Sequence, residues 1–197
     1  MPNLYIISGC NGSGKTTASY TVLPEMLGCT QFVNSDEFAK SFSPFDPSAA
    51  SISAGRFMLL KIRYLLRRKE DFCIETTLAT RSLMRTIEEA KDNGYGITLL
   101  YFWIHSPELA VKRVKDRVEA GGHSIPEHVI RRRYDMGLRY FFNDYMCVSD
   151  RWILVDSSQN PFRIIAEGDR DHRDVKDPEV FERIWNTAHP PEITAEP

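Results

Sequence analysis

Eight residues near the start of the chain, Gly9-Cys10-Asn11-Gly12-Ser13-Gly14-Lys15-Thr16, constrain its fold more than any other feature. They satisfy the pattern GxxxxGK[ST] in full. A short apolar run, Leu4-Tyr5-Ile6-Ile7, precedes them, and the sequence reads as a helix from about Lys15 to Leu27, closed by Gly28. A glycine-rich loop between a buried strand and a helix N-terminus cradles phosphate. Glycines let the backbone approach the oxygens, and successive N–H groups together with the helix dipole stabilise negative charge. Lys15 is placed to reach the β- and γ-phosphates of a bound nucleotide, and the Thr16 hydroxyl to ligate magnesium. Gly9, Asn11, Gly12, Ser13, Gly14, Lys15, Thr16 and Thr17 are thus the expected ATP-phosphate residues.

Strand and helix signals alternate along the rest of the chain. Gln31–Asn34, Phe72–Thr76, Ile97–Ile104 and Trp152–Val155 read as further strands, and Phe162–Ala166 as a short additional edge strand. Helices are expected over Ser48–Arg68, Ser82–Lys91, from Ser106-Pro107 to Gly121-Gly122, over Pro126–Met146 and over Pro178–Ala188. Asp169–Asp177 alternates in charge and reads as solvated. The expectation is one α/β domain over 1–197: a five-stranded, mainly parallel sheet with helices on both faces and a loose C-terminal tail at about 189–197. No apolar run reaches the ~18 residues of a membrane span, and no secretory signal is visible. Four scattered cysteines without a CxxC pair point to reduced thiols, no zinc site and a cytoplasmic location. With 25 Lys+Arg against 27 Asp+Glu, the net charge of −2 argues against a dedicated nucleic-acid binder.

The use made of the nucleotide turns on carboxylates and arginines. Asp36 falls at the carboxyl end of the second strand and Glu75 at that of the third, the edge where open α/β sheets bind ligands. A lone aspartate there suits a kinase base that accepts the proton of an acceptor hydroxyl, with Glu75 orienting a magnesium-bound water or the acceptor. Capping of the helix that follows Ser35-Asp36-Glu37 is the alternative role for Asp36. Arg113 and Arg117 share a helix face, and Arg131-Arg132-Arg133 follow the Gly121-Gly122 break. This reads as a lid over about 117–133 that closes arginines onto transferring phosphates, with Arg117 and Arg132 as phosphate contacts and His123 as a hydrogen-bonding lid residue. A solvated charged face is the alternative for the triplet, since about 100° of rotation per residue keeps all three from one site.

The segments LYIISGCNGSGKTT, FVNSDEFAKSFSPFDP, CIETTLATRS and PELAVKRVKDRVEAGGHSIPEHVIRRRY, taken in order, resemble the zeta-toxin-like P-loop kinases. Their short branch, described as predicted ATPases, is the more similar, and the resemblance runs from about Leu4 to Ser157. It implies the P-loop NTPase fold of the nucleoside-kinase type, with ATP and Mg2+ bound at Lys15 and Thr16. It also implies Asp36 as base, Glu75 and Thr77 in the substrate site and Arg117 in the lid. Zeta toxins phosphorylate the 3′-hydroxyl of UDP-N-acetylglucosamine and are held inactive by a small antitoxin, so a nucleotide-sugar acceptor and an antitoxin partner are further implications. Three positions depart from that pattern. Ala79 stands where the toxins carry an arginine, with Arg81 the nearest substitute. His123 stands for a second lid arginine, and Leu59 for a substrate-facing glutamate. The missing arginine and glutamate keep open an ATP-binding switch or ATPase that acts through a protein partner; a polynucleotide-end kinase, which shares the aspartate-plus-P-loop logic, is the other alternative.

Overall fold

The computed structural model describes residues 1–122 and 124–190; His123 and the tail from 191 onward lie outside the described residues. β1 (Asn3–Ser8) enters the phosphate loop, and α1 (Lys15–Met26) leaves it. β2 (Phe32–Val33), α2 (Ser35–Phe42), α3 (Ser51–Arg68), β3 (Phe72–Thr76), α4 (Met84–Asp92) and β4 (Gly96–Trp103) follow. Next come α5 (Pro107–Glu119), α6 (Glu127–Tyr140), a π turn (Phe141–Tyr145) and the short α7 (Met146–Val148). β5 (Arg151–Asp156), β6 (Arg163–Gly168), β7 (Arg173–Val175) and α8 (Pro178–Ala188) complete the order.

The strands form one sheet in the order β2-β3-β1-β4-β5-β6-β7. β1 lies parallel between β3 and β4, with Ile6 opposite both Ile74 and Leu99. The sheet has seven strands among the described residues rather than the expected five: β6 is the additional strand expected over Phe162–Ala166, and β7, unexpected from the sequence, extends it as an antiparallel ribbon beside β5. β7 falls inside the charged stretch expected to be solvated. As an edge strand it needs only backbone pairing on one side, with Ala166 opposite Val175 and Gly168 opposite Arg173, so its side chains can carry charge into water.

Alternation along the strands feeds two layers. Leu4, Ile6, Leu99, Tyr101, Trp152 and Leu154 join one apolar cluster with Ile62, Leu65 and Leu66 of α3, Ile87 of α4 and Leu138 of α6. Ile7, Cys73, Leu100, Phe102 and Val155 face the opposite way, toward Ala18 of α1. Ser106 caps α5 as its sequence suggests, accepting from Leu109 N at 3.2 Å. The helix expected over Pro126–Met146 widens at the π turn, where Phe141, Phe142 and Tyr145 are all buried. His189, at the head of the expected tail, stacks on Trp185 at 4.1 Å and hydrogen-bonds Asn143. All four cysteines are free thiols, three of them buried. Among the described residues no helix is long and apolar enough to cross a membrane.

α6 packs tightly against the end of β3 at Gly137, where an added Cβ would lie 2.7 Å from Thr77 O and 3.1 Å from the Tyr101 hydroxyl. Gly137→Ala should therefore push α6 off the end of β3 and lower stability by about 1–3 kcal/mol, read from urea denaturation. An unchanged denaturation midpoint would show that the helix can shift there at no cost.

Candidate active site

The phosphate loop is shaped by backbone contacts that only glycine permits. Gly9 has φ +138°, and a Cβ there would lie 2.3 Å from Phe102 O; Gly12 has φ +81°, with Ala110 O 2.7 Å from the same hypothetical atom. The loop is thus pressed against β4 on one side and α5 on the other. Lys15 is buried, and its Nζ donates to Cys10 O at 2.8 Å. Burial pulls its pKa below the usual lysine value, opposed chiefly by Glu75 and then by Cys10 and Asp36. Ser13 Oγ is buried without a hydrogen bond among the described residues, an orphan that a phosphate oxygen would satisfy. The Cys10 thiol, buried behind the loop, is pushed up to about 11 and stays protonated.

Glu75, at the end of β3, accepts the Thr16 hydroxyl at 2.9 Å on each carboxylate oxygen. Asn34 Oδ1 accepts from Asp36 N at 2.8 Å, and its side chain helps hold the Glu75 pKa down. The bond to Asp36 N makes Asn34 the N-cap of α2, so capping makes no claim on the Asp36 carboxylate, which is exposed on the first turn. Asn34 was missed as a site residue by sequence reasoning, although an Asn two residues before an acidic helix start is a capping signal. Thr77 lies just beyond β3, with its carbonyl against Gly137 of α6, and lines neither cavity described below. Leu78 beside it holds φ +57°, a left-handed backbone costly for leucine, stabilised by Leu78 N donating to Thr76 Oγ1 at 3.1 Å.

The arginines divide by role. Arg133 Nη1 donates to Asn11 Oδ1 at 2.9 Å, and the half-buried guanidinium feels the Asp36 charge. Arg132 is exposed and lines neither cavity, so the triplet member at the phosphate loop is Arg133, because packing of Ile130 and Tyr134 fixes the phase of α6. Arg131 is engaged by Glu108 and Glu127. Arg113 donates to Ser157 O at 2.9 Å and Ser158 O at 2.7 Å, and more weakly to Gly12 O, stapling the loop to the segment after β5. Arg81, the nearest substitute for the arginine absent at Ala79, is drawn off to Asp144 at 2.6 Å and lies over the Tyr140 ring. Leu59 faces outward from α3 and lines neither cavity.

Two cavities meet at this site. One, of about 740 Å³, runs from Asn11–Ala18 past Glu75 and Arg113 to Ser157, Gln159, Asn160 and Phe162. The other, of about 380 Å³, lies between α2, the start of α3 and Gly122, and is lined by Asn34, Glu37, Lys40, Ser48 and Ser51. Thr16, Thr17, Asp36 and Arg117 line both.

Comparison with known proteins places these observations in a family. Residues 1–141 match the family model described as Zeta toxin. An uncharacterised protein of Haemophilus influenzae is 33% identical over 127 residues, covering 64% of this chain and 88% of that protein. Among solved structures, a chain of the AvrRxo1-ORF1:AvrRxo1-ORF2 complex with sulphate ions superposes with a TM-score of 0.72 at 17% identity, over 100% of this chain. This chain spans 66% of the length of that one. The same complex crystallised with ATP gives 0.71 at 16% identity. The PezAT chromosomal toxin–antitoxin system of Streptococcus pneumoniae gives 0.68 at 16%, over 95% of this chain and 84% of that one. These structural likenesses show the fold.

Glu75 gives the ligand-free site a pH signature. Burial raises its carboxyl pKa despite the lowering effects of Lys15 and Thr16, so the folded chain holds that proton more tightly than the unfolded chain does. The associated stabilisation is present below the ordinary carboxylate value and is lost as pH rises through the folded one. Glu75→Gln should accordingly raise the Tm of the ligand-free protein at about pH 7.5, with the gain vanishing toward about pH 4. A lower Tm at pH 7.5 would show that contacts to Lys15 and Thr16 outweigh the cost of burying the charge.

Proposed function

The chain belongs to the zeta-toxin family, and from that membership we propose that it is an ATP-dependent phosphotransferase that moves the γ-phosphoryl of ATP to a hydroxyl of a small acceptor. One observation carries this reading: Asp36 and Arg117 stand where two cavities meet, one built for a nucleotide and one with room for a second molecule. A plain hydrolase needs only the first.

In this mechanism the nucleotide phosphates lie along the loop N–H groups, with Lys15 and Ser13 Oγ as further partners. The acceptor occupies the smaller cavity, where Asn34, Ser48 and Ser51 offer hydrogen bonds, and its hydroxyl faces Asp36. The acceptor oxygen forms the new bond to the γ-phosphorus while the bond to the β–γ bridging oxygen breaks. ADP leaves with that electron pair, and the hydroxyl proton passes to the Asp36 carboxylate. Lys15, Arg117 and Arg133 face the charge that spreads over the transferring group. The residues present also suit magnesium: the Thr16 hydroxyl donates a hydrogen bond to Glu75, which leaves its oxygen lone pairs available to a cation, and hydroxyl and carboxylate are the hard oxygen donors that ion takes. Bound with the nucleotide, magnesium would neutralise charge on the β- and γ-oxygens.

A nucleotide sugar such as UDP-N-acetylglucosamine is the first acceptor to test, on the strength of the family. We further propose a cytoplasmic enzyme with a protein inhibitor, since PezAT is a toxin–antitoxin system. One observation favours a second reading, an ATP-binding switch that acts through a protein partner. Asp144 holds Arg81, so the acceptor side lacks the cation missing at Ala79. The two readings part on acceptor-dependent ADP release, which a switch lacks. Asp36→Asn should leave ATP affinity within about twofold and cut acceptor-dependent ADP release by about 10²–10⁴. Full transfer in that variant would remove Asp36 as the base.

A further inference from the structure

The outer face of α3 takes no part in the site just described, and its chemistry is unusual for a surface helix. The helix carries five cations (Arg56, Lys61, Arg63, Arg67 and Arg68) and no carboxylate, in a chain whose net charge is −2. At about 100° per residue, Arg56, Arg63 and Arg67 fall within an arc of about 40° and form a row about 16 Å long. All three are exposed, and among the described residues no carboxylate pairs with any of them. Apolar side chains flank the row. Ile52 and Leu59, 72% and 51% exposed, stand on one shoulder, and Leu60 and Tyr64, 61% and 52% exposed, on the other. Beyond Tyr64, Phe57 is partly covered by Phe38 and Phe42 of α2, so the face is rimmed rather than open on that side.

We propose that this face of α3 docks an acidic amphipathic helix of a partner protein, with carboxylates on the arginine row and apolar side chains over the two shoulders. Charge and geometry together select that occupant. A second copy of this chain packed face to face would set row against row, six arginines in one contact. A helix that lies in a membrane surface inserts its central apolar arc and keeps its cations at the borders. Here the order is reversed, and insertion would bury the arginines. A nucleic-acid backbone would answer the charge but leave four large apolar side chains in water. A helix at a shallow crossing angle can follow the row over its whole length and meet both shoulders. The inference is independent of the catalytic reading, because none of these residues lines either cavity.

The full chain should bind a fluorescently labelled synthetic helix of about 18 residues with glutamates at i, i+7 and i+11 between leucine shoulders, read by anisotropy. The expected signature is saturable binding that weakens as salt rises from about 0.05 to 0.5 M. It should fall about tenfold or more in R56E/R63E/R67E and recover when lysines replace the peptide glutamates. Leu60→Glu, which leaves the row intact, should also weaken it. Both protein variants should keep wild-type circular dichroism and ATP affinity, which separates loss of docking from loss of fold. The proposal is overturned if the wild-type chain does not bind the peptide, if charge reversal leaves binding unchanged, or if the lysine peptide fails to restore it. It is equally overturned if wild type forms a dimer that Leu60→Glu dissolves, if it co-sediments with phosphatidylserine/phosphatidylcholine vesicles through these arginines, or if an oligoribonucleotide binds the row more tightly than the peptide.

Discussion

A side chain at position 9 would collide with the carbonyl of Phe102, and one at position 12 with that of Ala110. Everything else at the site depends on this double contact. It places the phosphate loop tightly between the central strand β4 and the helix α5. Arg113 strengthens the arrangement from α5 by donating to Ser157 O and Ser158 O, and Ser157 in turn donates its hydroxyl to Ser13 O at 2.7 Å. The loop is therefore tied to both walls of the nucleotide cavity. That rigidity is what allows a lysine to be buried there: Lys15 sits in a place where water is scarce, with Cys10 O and the charge of Glu75 as its compensation. A nucleotide would add phosphate charge to the partners Lys15 already has.

The same geometry makes one small region common to two cavities. β2 ends at Val33, and the cap made by Asn34 turns the chain at once into α2, which leaves Asp36 on the first helical turn beside Thr16 and Thr17. Thr16 donates to Glu75 and Asn34 accepts from Asp36 N, so the threonine of the loop is tied to the buried glutamate and the proposed base to the end of β2. Arg117 enters from α5 and Arg133 from α6, two helices packed together through Val111, Val114 and Ile130. Positive charge on two elements thus faces negative charge on two others across the space a phosphoryl group would cross.

The elements that carry this site were largely legible in the sequence because each has local punctuation. Apolar β1, the glycines of the loop, Ser106-Pro107 and the Gly121-Gly122 break all signal through nearest neighbours. What escaped was decided by packing at a distance. The charged stretch around Arg173–Val175 has no strand-like pattern, and only pairing with β6 makes it one. Three successive arginines cannot reveal which faces the loop; the burial of Ile130 and Tyr134 settles that in favour of Arg133 over Arg132. Arg81 looked available for the position left empty by Ala79, but Asp144, more than sixty residues away in sequence, holds it. Leu78 gives no hint of its positive φ, which its own side chain does not favour.

The central claim is that two molecules meet at Asp36, and the fate of the γ-phosphoryl tests it most directly. The chain is incubated with Mg2+ and ATP labelled in the γ-phosphate, with UDP-N-acetylglucosamine in one arm and a fractionated metabolite extract in the other, and the labelled products are resolved by mass spectrometry. The account predicts that the label appears as a new phosphate ester on a small hydroxyl compound, formed only when acceptor is present and absent with Asp36→Asn. Label recovered solely as inorganic phosphate, at a rate indifferent to every added acceptor, would contradict it.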